Sequence, residues 1–316
     1  MGAQGTVVVA IGGNSLIKDK DHQTVEDQWT AVRESCGHIA GLIERGWRVV
    51  ITHGNGPQVG FILLRSELGR GKLHEVPLDS IGADTQGAIG YQVQQCLANE
   101  FLRRGIRKRA VTLVTQTVVD ALDPAFAKPS KPIGSFYSAE EAAERQRVEG
   151  WTMVEDAGRG WRRVVASPRP IELVETPAIR ELVDKDFVVI AAGGGGIPVA
   201  RAADGTLSGC AAVIDKDFGS ALLARDIGAD TFLIQTAVEQ VCTDFGKPWQ
   251  KAHARLTTTQ ARQHMAQGQF PKGSMGPKIE ATCQFIDWGG KRAVITSLEK
   301  MTEALDGRAG TEIVGE

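Results

Sequence analysis

Three glycine-containing turns, Gly12-Gly13-Asn14, Gly54-Asn55-Gly56 and Gly193-Gly194-Gly195-Gly196, each follow a short apolar, β-branched run. Glycine tolerates positive φ and lets a phosphate come close to backbone N–H groups. A helix opening just beyond such a turn adds orphan donors and a favourable dipole for an anion. One turn alone is weak evidence, because strand-to-helix turns need glycine for their geometry. Three at one predicted sheet edge, the carboxyl edge where open α/β sheets bind ligands, weigh more.

Lysines stand in turns of the same kind. Lys131 precedes Pro132 and Gly134, Lys216 lies between Asp215 and Asp217, and Lys278 follows Gly276-Pro277 at a predicted helix start. Phosphoryl transfer spreads negative charge over equatorial and bridging oxygens, so its catalysts need cations and backbone donors more than a nucleophile. A turn lysine is usually just solvated. The flanking glycines and prolines fix backbone direction and make that bland reading weaker here. Two common nucleotide fingerprints are missing. No GxxxxGK[ST] follows a strand, and the run 193–196 leads into Ile197-Pro198 instead of opening the helix of a dinucleotide fold.

These residues need elements to position them, and the apolar pattern supplies a regular alternation. Residues 6–11 read as a buried strand, followed by a helix on which Val25, Trp29, Val32, Cys36, Ile39 and Ile43 share one face. Gly46 stops that helix, and residues 47–52 form the next strand. A helical stretch follows Pro57, then a long helix over about 84–104 and a strand over 110–115. Further strands fall at 187–192, 231–236 and 292–296, with helices opening at Asp215-Lys216-Asp217 and over 279–286. Strand and helix in alternation mean an α/β fold with parallel pairing and right-handed crossovers. The segment 118–170, with Pro124, Pro129, Pro132, Pro168, Pro170, Trp151 and Trp161, breaks the rhythm and reads as a small hairpin-rich excursion over the site mouth. Its bland alternative is an ornamental surface loop.

The 316 residues suffice for one large α/β unit or two lobes sharing a sheet, and aromatics are only 6%. A formal charge of −2 without long basic runs argues against a nucleic-acid partner. The first apolar run is too short for a membrane span and leads into glycines instead of a cleavage site. The five cysteines, Cys36, Cys96, Cys210, Cys242 and Cys283, are scattered with no CxxC pair, which fits reduced thiols in a cytoplasmic protein.

Seven motifs in order resemble the carbamate kinases of the amino-acid kinase family: AIGGNSL from Ala10, THGNGPQVG from Thr52, ADTQGAIGY from Ala83, KPIG from Lys131, residues 191–198, VIDKD from Val213, and GSMGPK from Gly273. The glycine motifs are shared more widely; the collinear set is specific and spans nearly the whole chain. The resemblance implies a three-layer αβα sandwich around a mostly parallel sheet, with a substrate-binding lobe at 1–210, a protruding subdomain at about 118–170 and a nucleotide-binding lobe at 211–316. It implies Mg²⁺-dependent transfer between carbamoyl phosphate and ADP, and a homodimer. Lys131, Lys216, Asp217 and Lys278 would be catalytic, with Asp217 ordering a lysine or the magnesium shell. Gly12, Gly13, Asn14, Gly54, Asn55 and Gly56 would hold the substrate end. Thr236, Ala237, Val238, Met275 and Gly276 would join Lys216 and Lys278 around the nucleotide, with 246–248 bordering the adenine. No protein metal ligand is implied, because the nucleotide phosphates would hold the magnesium. His53 is expected to shape its loop, since carbamate and ADP offer no proton that must be removed.

Ser15, Thr117, Ser135, Phe136 and Gln235 depart from the family pattern. None is charged, and Ser15, Ser135 and Phe136 lie at the substrate end. The rival readings are a kinase of another small acid or carbamate analogue and a non-catalytic binding protein. Retention of all three lysines and Asp217 weighs against the second.

Overall fold

The computed structural model describes residues 4–13, 16–17, 19, 21–156, 158–271 and 273–316. Asn14 and Ser15, both singled out above, lie outside the described residues.

The apolar strands assemble into one eight-stranded sheet. Its order is Arg255–Thr257, Thr311–Val314, Arg292–Ser297, Thr231–Thr236, Gly5–Ile11, Trp47–His53, Val188–Ile190 and Ala110–Thr112. Pairing is parallel from Arg292–Ser297 to the Ala110–Thr112 edge, and Thr311–Val314 runs antiparallel to Arg292–Ser297. Alternate residues face opposite layers. Val8, Ala10 and Val50 pack with Leu222, Leu223, Phe232 and Phe285 on one side. Val7, Val9, Ile11, Val49 and Ile51 pack with Val32, Cys36, Ile39, Ile89 and Leu97 on the other. Strands apolar on both faces demand helices on both faces, and the result is the αβα sandwich.

The expected helix at 25–43 is Val25–Glu44, opened by a Thr24/Asp27 capping box. Two other expectations shift. The long helix spans Leu78–Arg104 and so starts earlier than 84; Ser80 and Gly82 dilute the apolar signal there, although Ile81 is fully buried. The strand expected at 110–115 stops at Thr112. The Thr115 N–H is taken by Gln86 Oε1 at 2.7 Å, so the ladder cannot continue.

Beyond the sheet's carboxyl edge the chain builds smaller units. Leu207–Gly209, Ile197–Arg201, Gln116–Val119 and Pro170–Leu173 form a four-stranded sheet. Lys131–Tyr137, Trp161–Val165 and Thr152–Glu155 form a three-stranded sheet that carries the helix Ala139–Glu149, here called the lid. No helix among the described residues is long and apolar enough to cross a membrane.

The helix Lys216–Asp226 comes so close to the 193–196 turn that a Cβ on Gly219 would stand 2.8 Å from Gly195 Cα. Gly219→Ala should therefore cost about 1–3 kcal/mol by overpacking. Gly41→Ala, inside Val25–Glu44 and facing only the end of Arg104 at 4.0 Å, should stabilise by up to about 1 kcal/mol through helix propensity. Urea denaturation midpoints of the two variants should move in opposite directions.

Candidate active site

The strands Gly5–Ile11, Trp47–His53 and Val188–Ile190 lie in one group, so the turns that follow them meet at one edge. A cavity of about 760 Å³ opens there, lined by Gly13, Gly54, Asn55 and Gly56, by Gly194, and by Lys131, Lys216, Asp217 and Lys278. Three helices begin at it: Gly56–Leu68, Lys216–Asp226 and Met275–Asp287. Their N-terminal N–H groups and dipoles add to the lysine charges, and together they make an anion site.

Asp217 organises one wall. Its side chain is only 3% exposed, accepts from Lys278 Nζ at 3.0 Å and is ion-paired to Lys216. Burial alone would raise its carboxyl, but Lys216 and Lys278 outweigh burial and hold it at about 2. Lys216 is pushed down from its ordinary value by burial and by the Lys278 charge, against the pull of Asp217 and Asp215. Two lysines thus share one carboxylate, leaving an excess positive charge directed at the cavity.

The third lysine arrives from the lid. Lys131 begins the strand Lys131–Tyr137, and its Nζ donates to Asp215 Oδ2 at 2.6 Å. Asp215 also caps the helix Lys216–Asp226 by accepting from the Asp217 N–H at 3.0 Å. After Ile133 the lid strand slips register against Trp161–Val165, and Gly134 takes φ of 70°. This bulge points Gly134, Ser135 and Phe136 into the cavity wall. Arg162, which the sequence reading did not single out, also lines the wall and donates to the Gly134 carbonyl at 3.2 Å.

Behind the turns stands a buried hydrogen-bonded layer. Gln86 Nε2 donates to the carbonyls of Thr115 at 3.1 Å and Gly193 at 2.9 Å, while Asn55 Nδ2 donates to Thr85 Oγ1 at 2.9 Å. Both supports sit in the ADTQG motif, whose role the sequence alone did not reveal. Two departures from the family pattern have jobs here as well. Gln235 Oε1 accepts from the Gly12 N–H at 2.9 Å, and Thr117 Oγ1 donates to the Gly195 carbonyl at 2.9 Å. His53 is buried with Nδ1 3.0 Å from the Gly54 carbonyl, and a Cβ on Gly193 would strike its ring. Burial is the main reason its imidazole is lowered to about 4, with Lys216 adding to the effect. The ring is neutral at pH 7, in keeping with a loop-shaping role.

The remaining residues named from the sequence spread out. Gly12 stands behind Gly13 on Gln235, and Gly276 is buried in the first turn of Met275–Asp287 next to half-buried Met275. Thr236 ends the strand beside Gly5–Ile11, followed by exposed Ala237 and half-buried Val238. None of Thr236, Ala237, Val238, Met275 and Gly276 lines the 760 Å³ cavity. Among the described residues no cluster of His, Cys, Asp or Glu is arranged to hold a metal. Asp215 and Asp217, the carboxylates on the cavity wall, are already bonded to lysines. A hard cation here would take its oxygens chiefly from phosphate and water, as magnesium does at nucleotide sites.

The chain belongs to the amino acid kinase family, whose family model matches residues 5–297. Its full-length relatives place it among the carbamate kinases of that family. It is 48% identical to a carbamate kinase of Thermococcus kodakarensis, over 98% of this chain and 99% of that protein. It is 50% identical to a carbamate kinase-like protein of Escherichia coli, over 98% of each. The structure superposes on Giardia lamblia carbamate kinase bound to AMP-PNP with a TM-score of 0.93 at 40% identity, covering all of both chains.

Asp217→Asn would leave two lysines around a neutral amide. It should cost about 3–5 kcal/mol of stability and lower turnover by about a hundredfold or more. The stability that Asp217 contributes is present above the unfolded carboxyl value of about 4 and is lost as pH falls through its folded value of about 2. A lowered Lys216 predicts the opposite limb for activity. The pH–rate profile should fall on the alkaline side below about 10.4, the ordinary lysine value, and should show no break near 6.5 from His53.

Proposed function

We propose that the chain catalyses reversible, magnesium-dependent transfer of a phosphoryl group between carbamoyl phosphate and ADP, giving carbamate and ATP. The observation that carries this reading is the meeting of Lys131, Lys216 and Lys278 with three helix N-termini in one cavity, where no Ser, Cys or His among the described lining residues is paired with a base. Such a site stabilises charge on a phosphoryl group in flight and needs no covalent carrier.

In this reading the bond from phosphorus to the carbamate oxygen breaks while a terminal oxygen of ADP bonds to phosphorus in line. Backbone N–H groups at Gly13, Asn55 and Gly56 hold the carbamoyl phosphate end, and Gly54, whose own N–H donates to the Ile11 carbonyl at 3.1 Å, lets it approach closely, with Asn14 assigned there by the family motif. Lys131 moves from Asp215 to the transferred group, whose charge competes for the ammonium. Lys216 and Lys278 neutralise the nucleotide side, and Asp217 holds the pair at a fixed spacing. Magnesium, bound to nucleotide oxygens, would withdraw charge from the phosphates. Thr236, Ala237 and Val238, at the carboxyl end of the next strand, would border the nucleotide base, with Met275 and Gly276 shaping the helix start beneath its phosphates. This makes 1–210 the substrate lobe, with its protruding subdomain, and 211–316 the nucleotide lobe.

The same reading includes a cytoplasmic homodimer. The Ala110–Thr112 edge of the main sheet is unpaired among the described strands, and a groove of about 460 Å³ beside it is lined by Tyr91, Phe101, Leu102 and Ile106. Leu102 is 83% exposed. A second copy covering this edge would bury both. The five cysteines are all unpaired, which suits a reducing compartment.

Purified protein should form ATP from carbamoyl phosphate, ADP and Mg²⁺, and Lys131→Ala and Lys278→Ala should each slow it by about a hundredfold or more. Binding of ADP without ATP formation would instead point to another small acid as substrate. Analytical ultracentrifugation should give twice the 33.9 kDa chain mass, and Leu102→Glu should shift the protein toward monomer.

A further inference from the structure

The lid strand Lys131–Tyr137 lies along the helix Gly56–Leu68, and the two elements touch at two matched points. At the first, a Cβ on Gly60 would stand 3.4 Å from Gly134 Cα, so backbone meets backbone. At the second, Tyr137 Oη is 3.2 and 3.3 Å from the two carboxylate oxygens of Glu67. Gly60 and Glu67 are two helical turns apart on one face of the helix, about 10 Å along its axis, and Gly134 and Tyr137 bracket the bulged stretch of the strand. The strand is thus held to the helix at both ends of its bulge. At the other end of the same lid strand, Lys131 lines the cavity together with Gly54, beside the start of the helix.

The outer contact is reinforced by charge. Arg145 on the lid helix bridges Glu67 at 3.3 Å and Glu149, and Arg70, from just past the end of Gly56–Leu68, pairs with Glu149 at 2.5 Å. Glu67 and Glu149 side chains are only 14% and 12% exposed. Trp151 backs the cluster, with the Arg145 and Arg163 guanidinium carbons 5.2 and 4.4 Å from its ring centroid. Both arginines bond Glu149 through Oε1, while its buried Oε2 has no hydrogen-bond partner; a partly buried network of this kind resists screening better than separate surface pairs.

We infer that Glu67, Tyr137 and Arg145 form a latch that sets how far Lys131 reaches over the transferred phosphoryl group. They are positioning residues, because they act through the lid strand and do not line the cavity. The inference rests on the catalytic role proposed for Lys131. The close backbone contact of Gly60 with Gly134 gives the strand a pivot between the latch and the lysine, so loosening the outer contact should change the reach of Lys131 without unfolding the lid.

A double-mutant cycle on the full-length protein tests this, with ATP formation as the readout and carbamoyl phosphate and ADP varied in turn. Tyr137→Phe and Glu67→Gln should each lower kcat/KM for carbamoyl phosphate by about tenfold, as small misplacement of a catalytic group does, with KM for ADP changed less than about twofold. In a Lys131→Ala background the same substitutions should lower it further by less than about twofold, because the group they position is gone. An undiminished tenfold loss in that background would overturn the latch, since the effect would not pass through Lys131. No loss from either substitution in the wild-type background would overturn it as well. Failure of Lys131→Ala itself to slow turnover would instead sink the catalytic assignment of that lysine, an outcome the cycle reads separately.

Discussion

One buried carboxylate shared between two half-buried lysines sets the terms for the rest of this molecule. Asp217 cannot neutralise both Lys216 and Lys278, so its wall of the cavity keeps a positive excess in a place where water screens poorly. Holding such a charge is unfavourable until an anion arrives. That cost is offset by rigid surroundings: Lys216 is the first residue of its helix, Lys278 lies in the first turn of another, and both helices pack into the same core through Leu222, Leu223, Ile279 and Phe285. Core packing thus fixes the spacing of the charges.

The glycine turns show the same economy in backbone. Gly219 against Gly195, and Gly193 against the His53 ring, leave no room for a side chain, because the helices and turns must close over the sheet edge. Ala192, buried at φ of 50°, carries local strain beside the site. Gln86, Thr115, Thr117 and Gln235 then satisfy turn carbonyls and N–H groups that glycine cannot support by itself. Residues that differ from the family pattern at 117 and 235 are therefore part of the scaffold, and the reaction centre is charged by other side chains.

The lid adds the one participant that the main sheet cannot reach. Lys131 rests on Asp215, which is at the same time the cap of the Lys216 helix, so an ion pair joins the lid to the lysine wall across the cavity. In the proposed reaction an approaching phosphoryl group would compete with Asp215 for that ammonium. At the far end of the same strand, beyond the bulge at Gly134-Ser135-Phe136, Tyr137 is tied to Glu67.

Period and punctuation in the sequence were enough for the strands Gly5–Ile11, Trp47–His53 and Thr231–Thr236, for the helix Val25–Glu44, and for the glycine turns at one sheet edge, because buried parallel strands and amphipathic helices leave local patterns. Lys131 and Lys278 could be named because glycine and proline flank them, and Lys216 because two aspartates do. Boundaries set by competition were not legible. The strand after Ala110 ends at Thr112 because a glutamine from another helix takes the next N–H but two. Nor could spacing along the chain reveal that Lys131 faces Asp215, or that Thr85 and Gln86 carry the turns. Those pairings join residues 30 to 107 apart in sequence. A local pattern reports which face a residue presents; which partner meets that face is decided only when the sheet order brings the elements together.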